Sequence, residues 1–153
     1  MRIRDILSGL KVKDIAGADQ MHVVTVSSKT AVIDATRTLS EKKIGILIVC
    51  DDKGGLLGVL SERDVVHAIA THGKEAVGMS VDSFMTRKVE TCSLEDPPHR
   101  VLRRMSFGNF RHMPVMEGKV LMGVISSKDI IKYYVESGSP EQIAHVLKGF
   151  SWV

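Results

Sequence analysis

Aromatic side chains are scarce in this chain. One tryptophan, two tyrosines and four phenylalanines make up 5% of 153 residues. That is a poor supply of rings for a nucleic-acid stacking surface. Cysteine is scarcer still. Cys50 and Cys92 stand 42 residues apart, each in a strand-like run, with no C-x-x-C. This excludes a disulfide framework and a thiol-rich metal site. It leaves two buried apolar thiols and a reducing cytoplasm as the expectation. No apolar run approaches the roughly 18–20 residues that span a bilayer. The longest, residues 44–50, has the length of a strand. The start, MRIRDIL, carries charge where a signal peptide needs its apolar stretch. Neither sign of charge dominates: 21 Lys and Arg against 18 Asp and Glu leave +3. That is too little for a protein that coats DNA, but it suits an anionic small ligand.

Several chemistries lack their residues as well. There is no G-x-x-x-x-G-K-[ST] phosphate loop. The run Gly54-Gly55-Leu56-Leu57-Gly58 leads into a strand rather than a helix, so it is read as a hairpin and not a dinucleotide-binding turn. His67 and His72, five apart, do not share a helix face as a zinc pair would. Asp51 and Asp52 fit a turn better than a general acid/base pair. No serine, histidine and acid stand in a recognised nucleophile context. The eight methionines are scattered through the expected core.

What the chain does have is an internal repeat. GVLSERDVV at residues 58–66 returns as GVISSKDII at 123–131, an offset of 65. Upstream, Thr25-Val26-Ser27 aligns with Thr91-Cys92-Ser93 at an offset of 66, and Arg37, Ser40 and Val49 meet Arg103, Ser106 and Val115. The one-residue difference falls in the turn before the glycine, where a duplicated unit tolerates it best. A short amphipathic pattern precedes each copy: Ile3-Arg4-Asp5-Ile6-Leu7 and Val81-Asp82-Ser83-Phe84-Met85.

Each copy reads as β-α-β-β-α. In the first, strands are expected at 23–26, 44–50 and 56–60, and helices at 30–42 and 61–72, the last stopped by Gly73. In the second, strands are expected at 89–92, 112–116 and 120–125, and helices at 97–107 and 127–136. Pro97 and Pro98 suit the first turn of that copy's first helix, with Asp96 as its cap. Ser139-Pro140-Glu141-Gln142 opens a further helix to about Lys148. One copy of about 50 residues cannot cover both faces of its small sheet, whereas two packed together can. That predicts a pseudo-twofold pair with equivalent clefts between the copies.

The strongest local feature is Ser61-x-x-Asp64 and its copy Ser126-x-x-Asp129. Each follows a strand and opens a helix. One reading is a capping box, in which hydroxyl and carboxylate satisfy backbone amides. The other uses the same geometry for a ligand. A helix N-terminus offers amides and a positive dipole end, and a carboxylate one turn in can accept both hydroxyls of a ribose. The two readings are compatible.

Two β-α-β-β-α copies, each carrying G-h-h-S-x-x-D before its last helix, resemble a tandem pair of CBS (cystathionine-β-synthase) domains, a Bateman module. Met85-Thr86 and the strand Arg111-His112-Met113-Pro114-Val115 are typical of that family too. The resemblance implies an α/β (α+β) fold of two repeats related by a pseudo-twofold, with a short N-terminal segment and a C-terminal helix. The corresponding boundaries are residues 1–21, a first repeat at 22–72, a linker at 73–84, a second repeat at 85–137 and a tail at 138–153. It implies a stand-alone regulatory module that binds adenosine-containing ligands (AMP, ADP, ATP, NAD(H) or S-adenosylmethionine) and is not an enzyme.

Carried over by residue, one site would use Ser61 and Asp64 with Arg111, His112 and the stretch Thr86 to Val89. The other would use Ser126 and Asp129 with Gly45, Ile46 and the stretch His22 to Val24. Arg63 and Lys128 occupy matching places inside the Ser-x-x-Asp turns, either solvated or reaching a phosphate. Arg111 can bind a phosphate bidentately and Gly45 cannot, which makes the Ser61/Asp64 site the tighter one. Resemblance also implies a homodimer through the helices at 63–72 and 128–136, and an effector protein in trans. Residues 97–99 and 106–109 depart from the family's commoner pattern. Competing readings are a nucleic-acid-binding module, drawing on Arg100, Arg103, Arg104 and Arg111, a purely protein-interaction module, and a nucleotide hydrolase.

Overall fold

The computed structural model describes residues 1–10 and 23–148. In chain order its elements begin with α1 (Ile3–Leu10), β1 (Thr25–Ser27), α2 (Val32–Lys42), β2 (Ile46–Cys50), β3 (Leu56–Ser61) and α3 (Glu62–His72). Then come 3-10 turns at Gly73–Gly78 and Val81–Ser83, and α4 (Pro98–Gly108), β4 (His112–Glu117), β5 (Val120–Ser126), α5 (Ser127–Ser137) and α6 (Pro140–Lys148). This is an α+β architecture of helices on small sheets. The chain divides into two compact units, residues 23–89 and residues 1–22 with 90–153.

In the unit of residues 23–89, β1 runs parallel to β2 and β2 antiparallel to β3. The β2–β3 turn is set by Asp51, whose carboxylate accepts from the amides of Lys53 at 2.9 Å and Gly55 at 2.7 Å. Gly54 supplies the positive φ of 79° that this turn requires. The core is Ala35 and Leu39 from α2, Leu47 and Val49 from β2, Leu60 from β3, and Val81 and Met85 from the chain beyond α3. In the other unit β4 and β5 pair antiparallel. Their core repeats the first position by position: Val101 and Met105 for Ala35 and Leu39, Met113 and Val115 for Leu47 and Val49, and Ile125 for Leu60. Ile3, Ile6 and Leu7 of α1 and Val146 of α6 complete it.

The short segments ahead of the repeats are exchanged. α1 precedes the first repeat but packs on the second: the amides of Ile3 and Arg4 donate to the carbonyls of Asp96 and Leu94 at 3.1 and 3.0 Å. Val81 and Asp82 precede the second repeat but pack on the first, donating to Thr30 and Ser28 at 2.8 and 2.9 Å. The acceptors are equivalent positions of the two repeats, and Ile3 and Val81 are both fully buried.

Three local expectations need correction. α2 begins at Val32 rather than residue 30, because Ala31 is extended and bridged to Ser80 while the Thr30 carbonyl receives the Val81 amide. The expected strand at 89–92 reduces to a single bridge from Cys92 to Val115. Cys92 makes both ladder bonds, its amide donating to Pro114 and its carbonyl accepting from Met116, but Pro114 stands where Ile48 donates to Val24 and has no N–H to reach residue 90. Asp96 does not cap α4. The N-cap is Pro97, with no side-chain bond, and Asp96 accepts from the Ser93 amide at 3.1 Å. Pro97 and Pro98 carry no N–H, so this terminus has fewer amides to satisfy.

Candidate functional site

The Ser-x-x-Asp segments stand where each last strand turns into the last helix. Ser61 is extended (φ −100°, ψ 165°), so its side chain folds back over the first turn of α3. Its Oγ accepts from the Asp64 amide at 3.2 Å. Asp64 answers with Oδ2, which accepts from the Ser61 amide at 2.7 Å and the Ser61 hydroxyl at 2.9 Å. Ser126 and Asp129 reproduce this at α5: Oγ accepts from the Asp129 amide at 3.1 Å, and Oδ2 accepts from the Ser126 amide and hydroxyl at 2.9 and 2.6 Å. Both are complete capping boxes. Each holds a half-buried carboxylate at the positive end of a helix, in one rotamer and with lone pairs to spare.

The first site gains a further member. Thr86 Oγ1 donates to Asp64 Oδ1 at 3.2 Å. Thr86 is held there by two backbone bonds with Val59, its amide donating at 2.8 Å and its carbonyl accepting at 3.0 Å. That approach depends on Gly58, because a Cβ there would stand 2.5 Å from the Thr86 carbonyl oxygen. Sequence reasoning named Thr86 but missed Gly58 as a determinant of its position. The signal was present, since a glycine inside a strand marks a close backbone approach. Among the described residues no third donor reaches Asp129, so the two sites are unequal.

The other candidates fall into place within their own units. The Gly45 carbonyl accepts from the Glu62 amide at 3.1 Å, and Ile46 pairs with Ser61. In the second repeat the Arg111 carbonyl accepts from the Ser127 amide at 2.9 Å, and His112 pairs with Ser126. Each unit thus brings its own β-strand start to its own Ser-x-x-Asp turn. Val24 is half-buried and its carbonyl accepts from Ile48 at 3.0 Å. Val89 is half-buried, whereas Arg63, Arg111 and Lys128 are exposed. His22 lies outside the described residues.

Neither thiol is poised for chemistry. Burial, and then the Asp96 carboxylate, push the Cys92 thiol up to about 12, against a smaller pull from Arg104. Burial and Asp51 raise Cys50 as well. No group of three His, Cys, Asp or Glu among the described residues is arranged to hold a metal ion, and no described helix is long and apolar enough to cross a membrane. What the two turns can do is accept hydrogen bonds from paired hydroxyls beside a helix N-terminus.

The chain has relatives. It is 34% identical over 122 residues to the L-aspartate semialdehyde sulfurtransferase of Methanosarcina acetivorans, covering 79% of this chain and 23% of that protein. It is 27% identical over 114 residues to a mitochondrial CBS domain-containing protein of Arabidopsis thaliana, covering 72% and 55%. The chain thus spans between about a quarter and about half of the length of these relatives. Among solved structures, a CBS-domain containing protein from Agrobacterium tumefaciens shares 34% identity and superposes with a TM-score of 0.77, covering 86% of this chain and 91% of that one. A CBS domain pair solved in complex with 5-methylthioadenosine and S-adenosyl-L-methionine shares the fold at 23% identity, with a TM-score of 0.73 over 89% of this chain and 97% of that one. A family model of the CBS domain matches twice, at residues 12–71 and 81–136, one match to each repeat, and the chain belongs to the CBS domain family as a tandem pair.

Proposed function

We propose that this chain is a non-catalytic sensor that binds an adenosine-containing ligand at its two serine–aspartate turns. The observation that carries the reading is the duplicated serine–aspartate turn, a carboxylate fixed by a capping box at a helix N-terminus. Such a carboxylate can bridge the two hydroxyls of a ribose while the helix end favours a nearby phosphate. The 5-methylthioadenosine and S-adenosyl-L-methionine bound by a pair of the same fold support the ligand class. AMP, ADP, ATP and NAD(H) share the adenosine that such turns would read.

In this proposal one site is built on Ser61, Asp64 and the stretch Thr86 to Val89. The other is built on Ser126 and Asp129. The first is the tighter, having Thr86 to steady Asp64. Bound ligand shifts the population of the chain's conformations, and a partner reads that shift. The module is cytoplasmic, pairs as a homodimer and acts on an effector in trans. The exposed side chains of Val66 and Ile69 on α3 and Val135 on α5 support the pairing helices.

Calorimetric titration with AMP, ATP, NADH and S-adenosylmethionine tests the reading, repeated on Asp64→Ala and Asp129→Ala. Saturable binding that each variant removes at one site supports it. A folded protein that binds none of the four reduces both turns to helix caps.

A further inference from the structure

The two repeats agree in their cores and part company on one helix face. The inward positions Ala35 and Leu39 of α2 are matched by Val101 and Met105 of α4, all buried. The outward positions diverge: Asp34, Thr38 and Glu41 of α2 answer to Arg100, Arg104 and Phe107 of α4, while Arg37 and Arg103 coincide. α2 therefore carries acids and bases in equal number, whereas α4 has three arginines and no acid.

Counter-charges deepen the contrast. On α2, Asp34 neutralises Arg37 at 3.1 Å. On α4, Arg104 is committed to Glu90 at 2.7 Å, with Asp96 at 3.9 Å, and Glu95 is taken by Arg4. Arg100 and Arg103, with Arg111 just beyond the helix end, are exposed and have no carboxylate partner among the described residues. Beside them Phe107 is 79% exposed, with the Arg103 guanidinium 5.4 Å from its ring centroid. Arg100, Arg103 and Phe107 follow an i, i+3, i+7 spacing and share one face.

We propose that this face of α4 docks an acidic polypeptide segment that carries apolar side chains. Arg100, Arg103 and Arg111 pair with its carboxylates, and Phe107 seats against its apolar groups. The helix is roughly 16 Å long, which matches about five residues of extended chain. Nucleic acid fits less well. Its charges recur about every 1.7 Å along a duplex and would run past Glu90, Glu95 and Asp96 at the same helix. A peptide places discrete carboxylates in register and avoids them. The proposal does not depend on the nucleotide reading.

The test is fluorescence anisotropy on the full chain with three labelled probes: a short peptide alternating glutamate and leucine, its glutamine–leucine counterpart, and an oligothymidylate. The glutamate peptide binds, the glutamine peptide does not, and added salt weakens the binding. The double variant Arg100→Glu/Arg103→Glu weakens it about tenfold or more, and Phe107→Ser severalfold. Arg37→Glu/Lys42→Glu on α2 makes the same change in net charge and leaves binding intact. Amide spectra of the unmodified protein locate the peptide independently of any variant, with shifts centred on residues 98–111. Failure of the glutamate peptide to bind, equal loss in both double variants, or shifts centred elsewhere would overturn the proposal. Tighter binding of the oligothymidylate would overturn it in favour of nucleic acid.

Discussion

Gly58→Ala asks whether Thr86 is built into the first site or merely lies near it. A Cβ at position 58 would stand 2.5 Å from the Thr86 carbonyl oxygen and 3.3 Å from the Met85 sulfur. The sulfur ends a flexible side chain and can move. The carbonyl cannot, because Thr86 is tied to Val59 by bonds of 2.8 and 3.0 Å. Overpacking of this kind costs about 1–3 kcal/mol. Displacing the segment puts two backbone bonds at risk, at about 1 kcal/mol each. Against this, alanine loses less chain entropy on folding, a gain of about 0.5–1 kcal/mol. The balance is a loss of about 3 kcal/mol, or roughly 6–12 °C in Tm for a chain of this size. Asp64 would also lose its third donor, so nucleotide affinity at that site should fall while the Asp129 site keeps its own. Urea denaturation and titration calorimetry read the two effects. Gly78→Ala is the control, since nothing stands within 4 Å of a Cβ there. A Gly58→Ala midpoint matching that of Gly78→Ala would refute the reasoning.

Other perturbations follow from the same geometry. Ser126→Ala removes one capping hydroxyl and should cost about 1 kcal/mol in urea denaturation; an unchanged midpoint would show that the box at α5 contributes nothing. Ile3→Ala empties a fully buried position that α1 lends to the second-repeat core, and should cost about 2–5 kcal/mol. A loss below about 1 kcal/mol would mean that α1 is not docked there. Cys92 has its thiol pushed up to about 12, so in the native protein it should stay inert to a thiol reagent from about pH 7 to 9, while the less buried Cys50 reacts first. Equal rates for the two would contradict this. His99 is held below its ordinary value by burial, then by His145 and Arg100. A depressed folded value means that stability is intact above the unfolded pKa of about 6.5 and is lost as pH falls toward the folded value. Urea midpoints should therefore drop between about pH 7.5 and 5.5, and drop less in His99→Asn. Identical drops would remove His99 from the account.

Much of the site was legible because its determinants are local. The Ser-x-x-Asp turn joins residues three apart, so a strand running into a helix forms the box from its own sequence. The same holds for the Asp51 turn, and for the apolar stripes of α2 and α4, whose core positions agree repeat by repeat. The errors arose where a distant segment competes for a local group. Residue 30 is not helical because Val81 takes its carbonyl, and the strand before Cys92 is cut short because Pro114, on the facing strand, has no N–H for residue 90.

By itself, then, the sequence determined the duplication, the order of elements in each copy and the carboxylate at each helix start, all encoded within a few residues of one another. Tertiary structure alone decided that each lead-in packs on the other repeat and that Thr86 reaches Asp64 from 22 residues away. It also decided that Arg104 is spent on Glu90 while Arg100 and Arg103 face outward. The reason is physical. Periodicity states which face of an element is apolar, but not which segment will cover it. That choice falls to complementarity of backbone donors, cavities and charges between parts of the chain that meet only once it has folded.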